Sequence, residues 1–208
     1  MRNDLPKSRI EALTDGIFAV TMTLLVLDLR PPDGVGPGKE AFWEKLSTLT
    51  PRLDDYLISF VVLSLLWVGH QRLGYRVRHV DPGFVWLNLA FILVTTFLPL
   101  TTSLIGEHPG VPGAALLYGV NLTLIVVAHA LMWRRGLLRL LEGDPAEGRA
   151  LWGVVRVGFL LVLAVVLAAM IAAMLGFEWS SWLYVLLLVA LLVLRPWVKR
   201  RTRPRHAR

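Results

Sequence analysis

The stretch that decides the fold is Arg9-Ile10-Glu11-Ala12-Leu13-Thr14-Asp15-Gly16-Ile17-Phe18-Ala19-Val20-Thr21-Met22-Thr23-Leu24-Leu25-Val26-Leu27-Asp28-Leu29. Its apolar body is long enough to cross, as a helix, a hydrocarbon core about 30 Å thick. Yet an arginine and an aspartate stand at its start, and threonines are scattered among its aliphatic residues. Ionisable groups at membrane depth are costly and usually functional. Hydropathy therefore makes this segment a membrane span, and its polar residues make it the first place to look for activity.

The rest of the chain repeats the apolar pattern. Of 208 residues, 55% are hydrophobic and only 18% are charged, and the mean hydropathy is +0.59. A soluble domain of this length needs more polar surface. Six apolar runs reach spanning length, at about 9–29, 56–71, 84–105, 114–133, 151–175 and 179–197. The second is the shortest and can begin as early as Leu53. Six spans leave little chain for anything else. Residues 1–208 are expected to form one all-α integral membrane domain of six transmembrane helices.

The net charge of +7 is not distributed as a nucleic-acid surface would be. Seventeen of the 22 basic residues fall on one side of the expected membrane: Arg2, Lys7 and Arg9 before span one; Arg72, Arg76 and Arg78 after span two; Arg134, Arg135, Arg139 and Arg149 after span four; and seven from Arg195 to Arg208. The opposite side has only Arg30, Lys39, Lys45 and Arg52, diluted by acidic neighbours. The positive-inside rule then places both termini in the cytoplasm of a multi-pass plasma-membrane protein. The basic tail, 198–208, is expected to lie against anionic lipid rather than nucleic acid. There are no cysteines, so disulfides, thiolate metal sites and cysteine nucleophiles are excluded. Asp15 interrupts the apolar run, and Arg30-Pro31-Pro32 is no small-residue cleavage site, so the first helix is not read as a signal peptide.

The longest connection, 30–55, opens with Pro31, Pro32, Gly34, Gly36, Pro37 and Gly38. It continues with Phe42, Trp43, Leu46 and Leu49 at helical spacing. That pattern fits a short amphipathic helix, either in the outer interface or packed on the protein. Pro82, Pro99 and Pro112 mark starts or kinks of spans three and four. Trp133, Trp152, Trp179, Trp182 and Trp197 lie near span ends, where an aromatic belt is expected.

Alternating span direction places the polar residues in depth, at about 1.5 Å per helical residue. Asp15, Trp67, His70, Asn88, His129 and Arg156 all fall in the cytoplasmic half. Each alone has an ordinary structural explanation, such as a snorkelling arginine or a hydrogen bond between helices. Asp15 demands more, because a carboxylate at that depth needs a donor; Trp67, His70 and Arg156 are candidates. On the first helix, Val20, Thr23, Leu24 and Leu27 form a stripe at i, i+3, i+4 and i+7, turned well away from Asp15. Such a stripe can face lipid, another helix, or a pore formed by several copies, narrowed by hydrophobic rings and wetted at Thr23.

The segment Arg9-x-x-x-Leu13-Thr14-Asp15 resembles the R-x-x-x-F-S-D signature of the transmembrane protein 175 family of potassium channels. Leu13 and Thr14 replace the usual Phe and Ser. Trp67-Val-Gly-His70 and Trp86-Leu-Asn88, followed by Phe97-Leu-Pro99, are also similar to bacterial members. The resemblance implies a homotetramer of six-helix subunits with the pore lined by helix one, no T-V-G-Y-G filter and no cofactor or bound metal. Carried over by position, Val20 forms the innermost constriction, Leu24 and Leu27 further rings, and Thr23 a hydroxyl layer that meets passing K+. Arg9, Asp15, Trp67, His70 and Asn88 would form a supporting polar network. Val20 stands where the family more often has Ile, which implies a wider constriction.

The function expected is a potassium-permeable, leak-type cation channel. The alternative is a proton-coupled transporter using Asp15 and His70. A haem protein ligated by His70 and His129 is a third reading, since two histidines at one depth suffice for bis-His ligation. The sequence contains no nucleophile–base pair, phosphate loop or metal-ligand spacing, so no enzyme is expected.

Overall fold

The structure, a computed structural model, describes residues 6–29, 39–47, 49–77, 79–108, 110–140, 145–177 and 183. Helix α1 (Lys7–Leu24) continues into a 3-10 segment (Leu25–Asp28). There follow α2 (Lys39–Ser47), α3 (Thr50–Arg76), α4 (Pro82–Thr96), α5 (Leu98–Glu107) and α6 (Pro112–Arg135). A π-helical turn (Gly136–Leu140) leads to α7 (Pro145–Met174). The fold is all-α, with no strand among the described residues. Five helical stretches are long and apolar enough to cross a membrane: Lys7–Leu27, Arg52–Arg76, Pro82–Glu107, Pro112–Arg139 and Pro145–Met174. The second is longer than hydropathy suggested, because Asp54 and Asp55 continue the helix rather than ending it. The expected sixth span, 179–197, lies outside the described residues except for Leu183, which packs on the core. The basic tail, 198–208, also lies outside them.

Helix α6 is the hub, packing on α4, α5 and α7, while α1 packs on α3, α4 and α5. Lipid is as apolar as leucine, so burying apolar area does not by itself drive helices together in a bilayer; close packing and small residues do. The buried face of α7 is accordingly Val162, Val166, Ala169 and Ala173, at helical spacing, and α6, against which it packs, buries Ala114, Ala115 and Gly119 among others. Helix α7 ends in a Schellman motif: Phe177 N–H bonds Ala172 C=O at 3.0 Å and Gly176 N–H bonds Ala173 C=O at 3.1 Å. Gly176 has φ of 81°, which a residue without Cβ adopts freely.

The expected helix in the long connection is present as α2, with Phe42 and Trp43 exposed. Trp133 departs from its expected place at the lipid interface. It is buried, and its indole Nε1–H donates to His129 Nε2 at 3.2 Å. A tryptophan near a span end can satisfy its N–H on the protein instead of on the headgroups.

At the basic end of the bundle, Asp81 caps α4 by accepting from Phe84 N–H at 2.8 Å. Pro82, which has no N–H to satisfy, occupies the first turn. Arg135, from the end of α6, grips the same carboxylate with Nε at 2.8 Å and Nη2 at 2.5 Å. The guanidinium lies over Gly83, where a Cβ would collide with it. The Arg135 hydrogen bonds, with the Phe84 N–H, hold the Asp81 carboxyl below its usual range despite some desolvation.

Candidate functional site: two faces of the first helix

Helix α1 buries one face and exposes the other. Ile10, Thr14, Phe18, Thr21 and Leu25 recur every three or four residues and are buried. Val20, Leu24 and Leu27 are 55%, 42% and 63% exposed, and Thr23 is exposed beside them. The stripe therefore lies on the surface of the subunit. The 3-10 segment changes its geometry. Leu24 is the last residue of α1 and Leu27 lies in the 3-10 segment, whose tighter winding of three residues per turn brings side chains at i and i+3 closer to alignment than α-helix does. Thr23 donates its hydroxyl proton to Val20 C=O at 2.8 Å, which leaves the oxygen lone pairs free as acceptors.

The buried side is tied down by polar contacts near the basic end. Asp15 Oδ1 accepts from Trp67 Nε1 at 2.8 Å and from Gln71 Nε2 at 2.5 Å, both on α3. Thr14 is fully buried. Its hydroxyl donates to Ile10 C=O at 2.9 Å and accepts from Asn88 Nδ2 on α4 at 2.8 Å. Lys7 Nζ donates to Gly74 C=O at 2.6 Å and pairs with Glu11 at 3.2 Å. A Cβ at Gly74 would crowd the Glu11 carboxylate and oblige that side chain to shift.

The other expected members lie elsewhere. Arg9 is exposed and, among the described residues, makes no bond to Asp15; six residues of helix turn them to different faces. Arg156 is exposed on α7, which packs on α6 and the π turn. His70 is buried but does not reach Asp15 with a hydrogen bond. Its ring stacks on Phe91 at 5.7 Å, and Nδ1 has no partner among the described residues. Phe91 stacks in turn on His129 at 4.9 Å, and Phe159 meets His129 edge-on at 5.6 Å. The Phe91 ring against both imidazoles, with His129 Nε2 engaged by Trp133, leaves no place for a haem between the histidines. Gly69 permits this packing, since a Cβ there would stand 3.0 Å from His129 Cε1. No group of three or more metal-ligating side chains occurs among the described residues.

Gln71 was not anticipated from sequence. Its signal was the i, i+4 spacing from Trp67, which sets both donors on one face of α3. A second polar cluster lies in the opposite half. It joins Ser59 and Tyr118 at 3.0 Å, Thr102 and Ser59 at 2.8 Å, and Asn121 to Val94 C=O at 2.8 Å.

Comparison with known proteins gives three kinds of match. Residues 9–99 match the family model described as the endosomal/lysosomal potassium channel TMEM175. A potassium channel of Streptomyces collinus is 33% identical over 126 residues, which is 61% of this chain and 60% of that protein. The human endosomal/lysosomal proton channel TMEM175 is 29% identical over 124 residues, 60% of this chain and 24% of that protein. The chain spans about three fifths of the length of the bacterial relatives it matches. The crystal structure of a lysosomal potassium-selective channel TMEM175 homologue from Chamaesiphon minutus superposes with a TM-score of 0.76 at 26% identity, covering 90% of this chain and 96% of that one.

Proposed function

We propose, from the match of residues 9–99 to the TMEM175 family model, that the chain is a potassium-permeable, leak-type cation channel rather than an enzyme. One observation carries the reading. A membrane-spanning helix is clamped to its own subunit on one face and presents bare aliphatic side chains and one hydroxyl on the other. Several copies of the chain, four by analogy with the family, would bury that face around a common axis. Val20, Leu24 and Leu27 would then form successive hydrophobic rings, and Thr23 would turn oxygen lone pairs toward a passing K+. The permeant ion is substrate, and no cofactor is required. The absence of a T-V-G-Y-G segment makes side-chain rings, not a carbonyl filter, the source of any preference among cations. The naming of bacterial relatives as potassium channels supports potassium as the ion.

In this reading residues 1–208 form one six-helix domain of the plasma membrane with both termini cytoplasmic. The 30–55 connection lies outside, and the basic tail rests on anionic lipid. Asp15, Trp67 and Asn88 hold the pore helix at its cytoplasmic end, with Arg9 and His70 nearby.

Purified protein in liposomes is expected to pass K+ down its gradient. Val20→Ala and Leu24→Ala, which widen the rings, should raise that flux several-fold. No flux in any of several lipid compositions and pH values would overturn the proposal.

A second reading has a specific source: the vertebrate relatives are named proton channels. Proton movement coupled through Asp15 and His70 would make transport depend on a pH gradient. Acidification of vesicles driven by an outward K+ gradient, and abolished by Asp15→Asn, would favour it over a passive potassium pore.

A further inference from the structure

The third span is not one helix. Helix α4 ends at Thr96 and α5 begins at Leu98, so the rod Pro82–Glu107 is broken at Phe97. The local sequence Thr95-Thr96-Phe97-Leu98-Pro99-Leu100-Thr101-Thr102 explains the break. Pro99 has no N–H to bond the carbonyl four residues earlier. On either side, threonine hydroxyls bond back to their own helix: Thr95 to Phe91 C=O and Thr96 to Leu93 C=O, both at 2.7 Å, and Thr102 to Leu98 C=O at 2.8 Å. Such back-bonding bends helices.

One side chain from another helix bridges the break. Asn121, on α6 and 6% exposed, donates Nδ2–H to Val94 C=O at 2.8 Å, the last turn of α4. Its Oδ1 lies 3.3 Å from Thr101 Oγ1, the first turn of α5. The carbonyl can only accept, so the orientation of the amide is set by chemistry. Thr101 shares its single proton with Leu98 C=O at 3.1 Å, so the α5 arm of the clamp is the weaker one.

The break lies level with a change in the pore helix. From the Thr14–Asn88 hydrogen bond, Leu25 is about 16 Å along α1 and Phe97 about 14 Å along α4, at 1.5 Å per residue. Alpha-helix gives way to 3-10 helix at Leu25, and α4 gives way to α5 at Phe97. Helix α4 packs against α1, while α5 packs against both α1 and the 3-10 segment. The angle at Phe97 thus determines where α5 holds the end of α1 that carries Leu24 and Leu27. Resting on the channel reading above, we propose that Asn121 is a positioning residue of the pore, clamping the two halves of the third span so that α5 sets the outer hydrophobic rings.

The test combines permeation with a distance. The chain has no cysteine, so Ala90→Cys and Glu107→Cys, both exposed positions, carry spin labels on α4 and α5, diluted with unlabelled chain. Asn121→Leu is expected to shift or broaden the label-to-label distance and to change K+ flux at least threefold, together with the K+/Na+ permeability ratio. Thr101→Val should give a smaller change in the same direction and Thr101→Ser none, which keeps the test open if Asn121→Leu does not fold. An unchanged distance overturns the clamp. A shifted distance with unchanged permeation overturns its link to the pore. A wild-type protein that passes no ion fails the channel reading and with it the pore role, while the distance still decides whether Asn121 holds the bend.

Discussion

Thr14 and Asp15 are adjacent in the chain but serve different neighbours, because 100° of helix separates their directions. Thr14 is sealed against Asn88 on α4, whereas Asp15 takes two donors from α3. Removing the Thr14 hydroxyl leaves the Asn88 amide buried without an acceptor, at a cost of about 1–3 kcal/mol. Thr14→Val should therefore lower the thermal midpoint of the purified protein clearly, while Thr14→Ser, which keeps the hydroxyl, should not. A Thr14→Val protein as stable as wild type would remove this bond from any account of how the pore helix is held. Sequence reasoning identified Asp15 as a carboxylate in need of a donor and Trp67 at matching depth, since depth follows from counting residues. It named His70 and Arg156 beside Trp67 and missed Gln71, because depth says nothing about azimuth. His70 points into the Phe91–His129 stack instead.

Elements in this bundle are defined by their ends. Helix α4 starts at Asp81 because that carboxylate caps it, and α6 finishes where Arg135 can reach the same carboxylate. The carboxyl is held below its usual range, so it stabilises the fold at pH above its unfolded value of about 3.9, and that contribution is lost as pH falls through the lower folded value. Thermal melts of Asp81→Asn should lie below wild type at neutral pH, and the two should converge as pH drops below about 4. Parallel curves down to pH 3 would show that the clasp is energetically silent. The prolines near these ends were readable from the sequence as helix starts or kinks, whereas the Asp81 cap and its Arg135 partner emerged only in the structure. The break at Phe97 was readable only as a proline kink, because the partner that bridges it sits on another helix.

A lone subunit leaves the Val20/Thr23/Leu24/Leu27 face of α1 exposed, as it does apolar side chains of α4 and α7 such as Trp86, Leu93, Leu160 and Ile171. If copies meet on the α1 face, Leu27→Cys in an otherwise cysteine-free chain should cross-link into covalent dimers with a short bifunctional maleimide, while Leu160→Cys, exposed on α7, should not. Equal cross-linking at both positions would show that the contact is collisional and the stripe faces lipid. What the sequence determined by itself was set by one-dimensional physics: membrane class from apolar length, five of the spans now described, the side expected to face the cytoplasm, and the stripe opposite Asp15 from a 100° repeat. Tertiary structure decided which donors Asp15 has, where His70 and Trp133 point, how Asn121 spans a broken helix, and that the stripe crosses from α-helix to 3-10 helix after Leu24. Those outcomes depend on the rotation and packing of helices about one another, and lipid-facing and protein-facing apolar residues look alike along a chain because hydrocarbon and protein interior solvate them equally well.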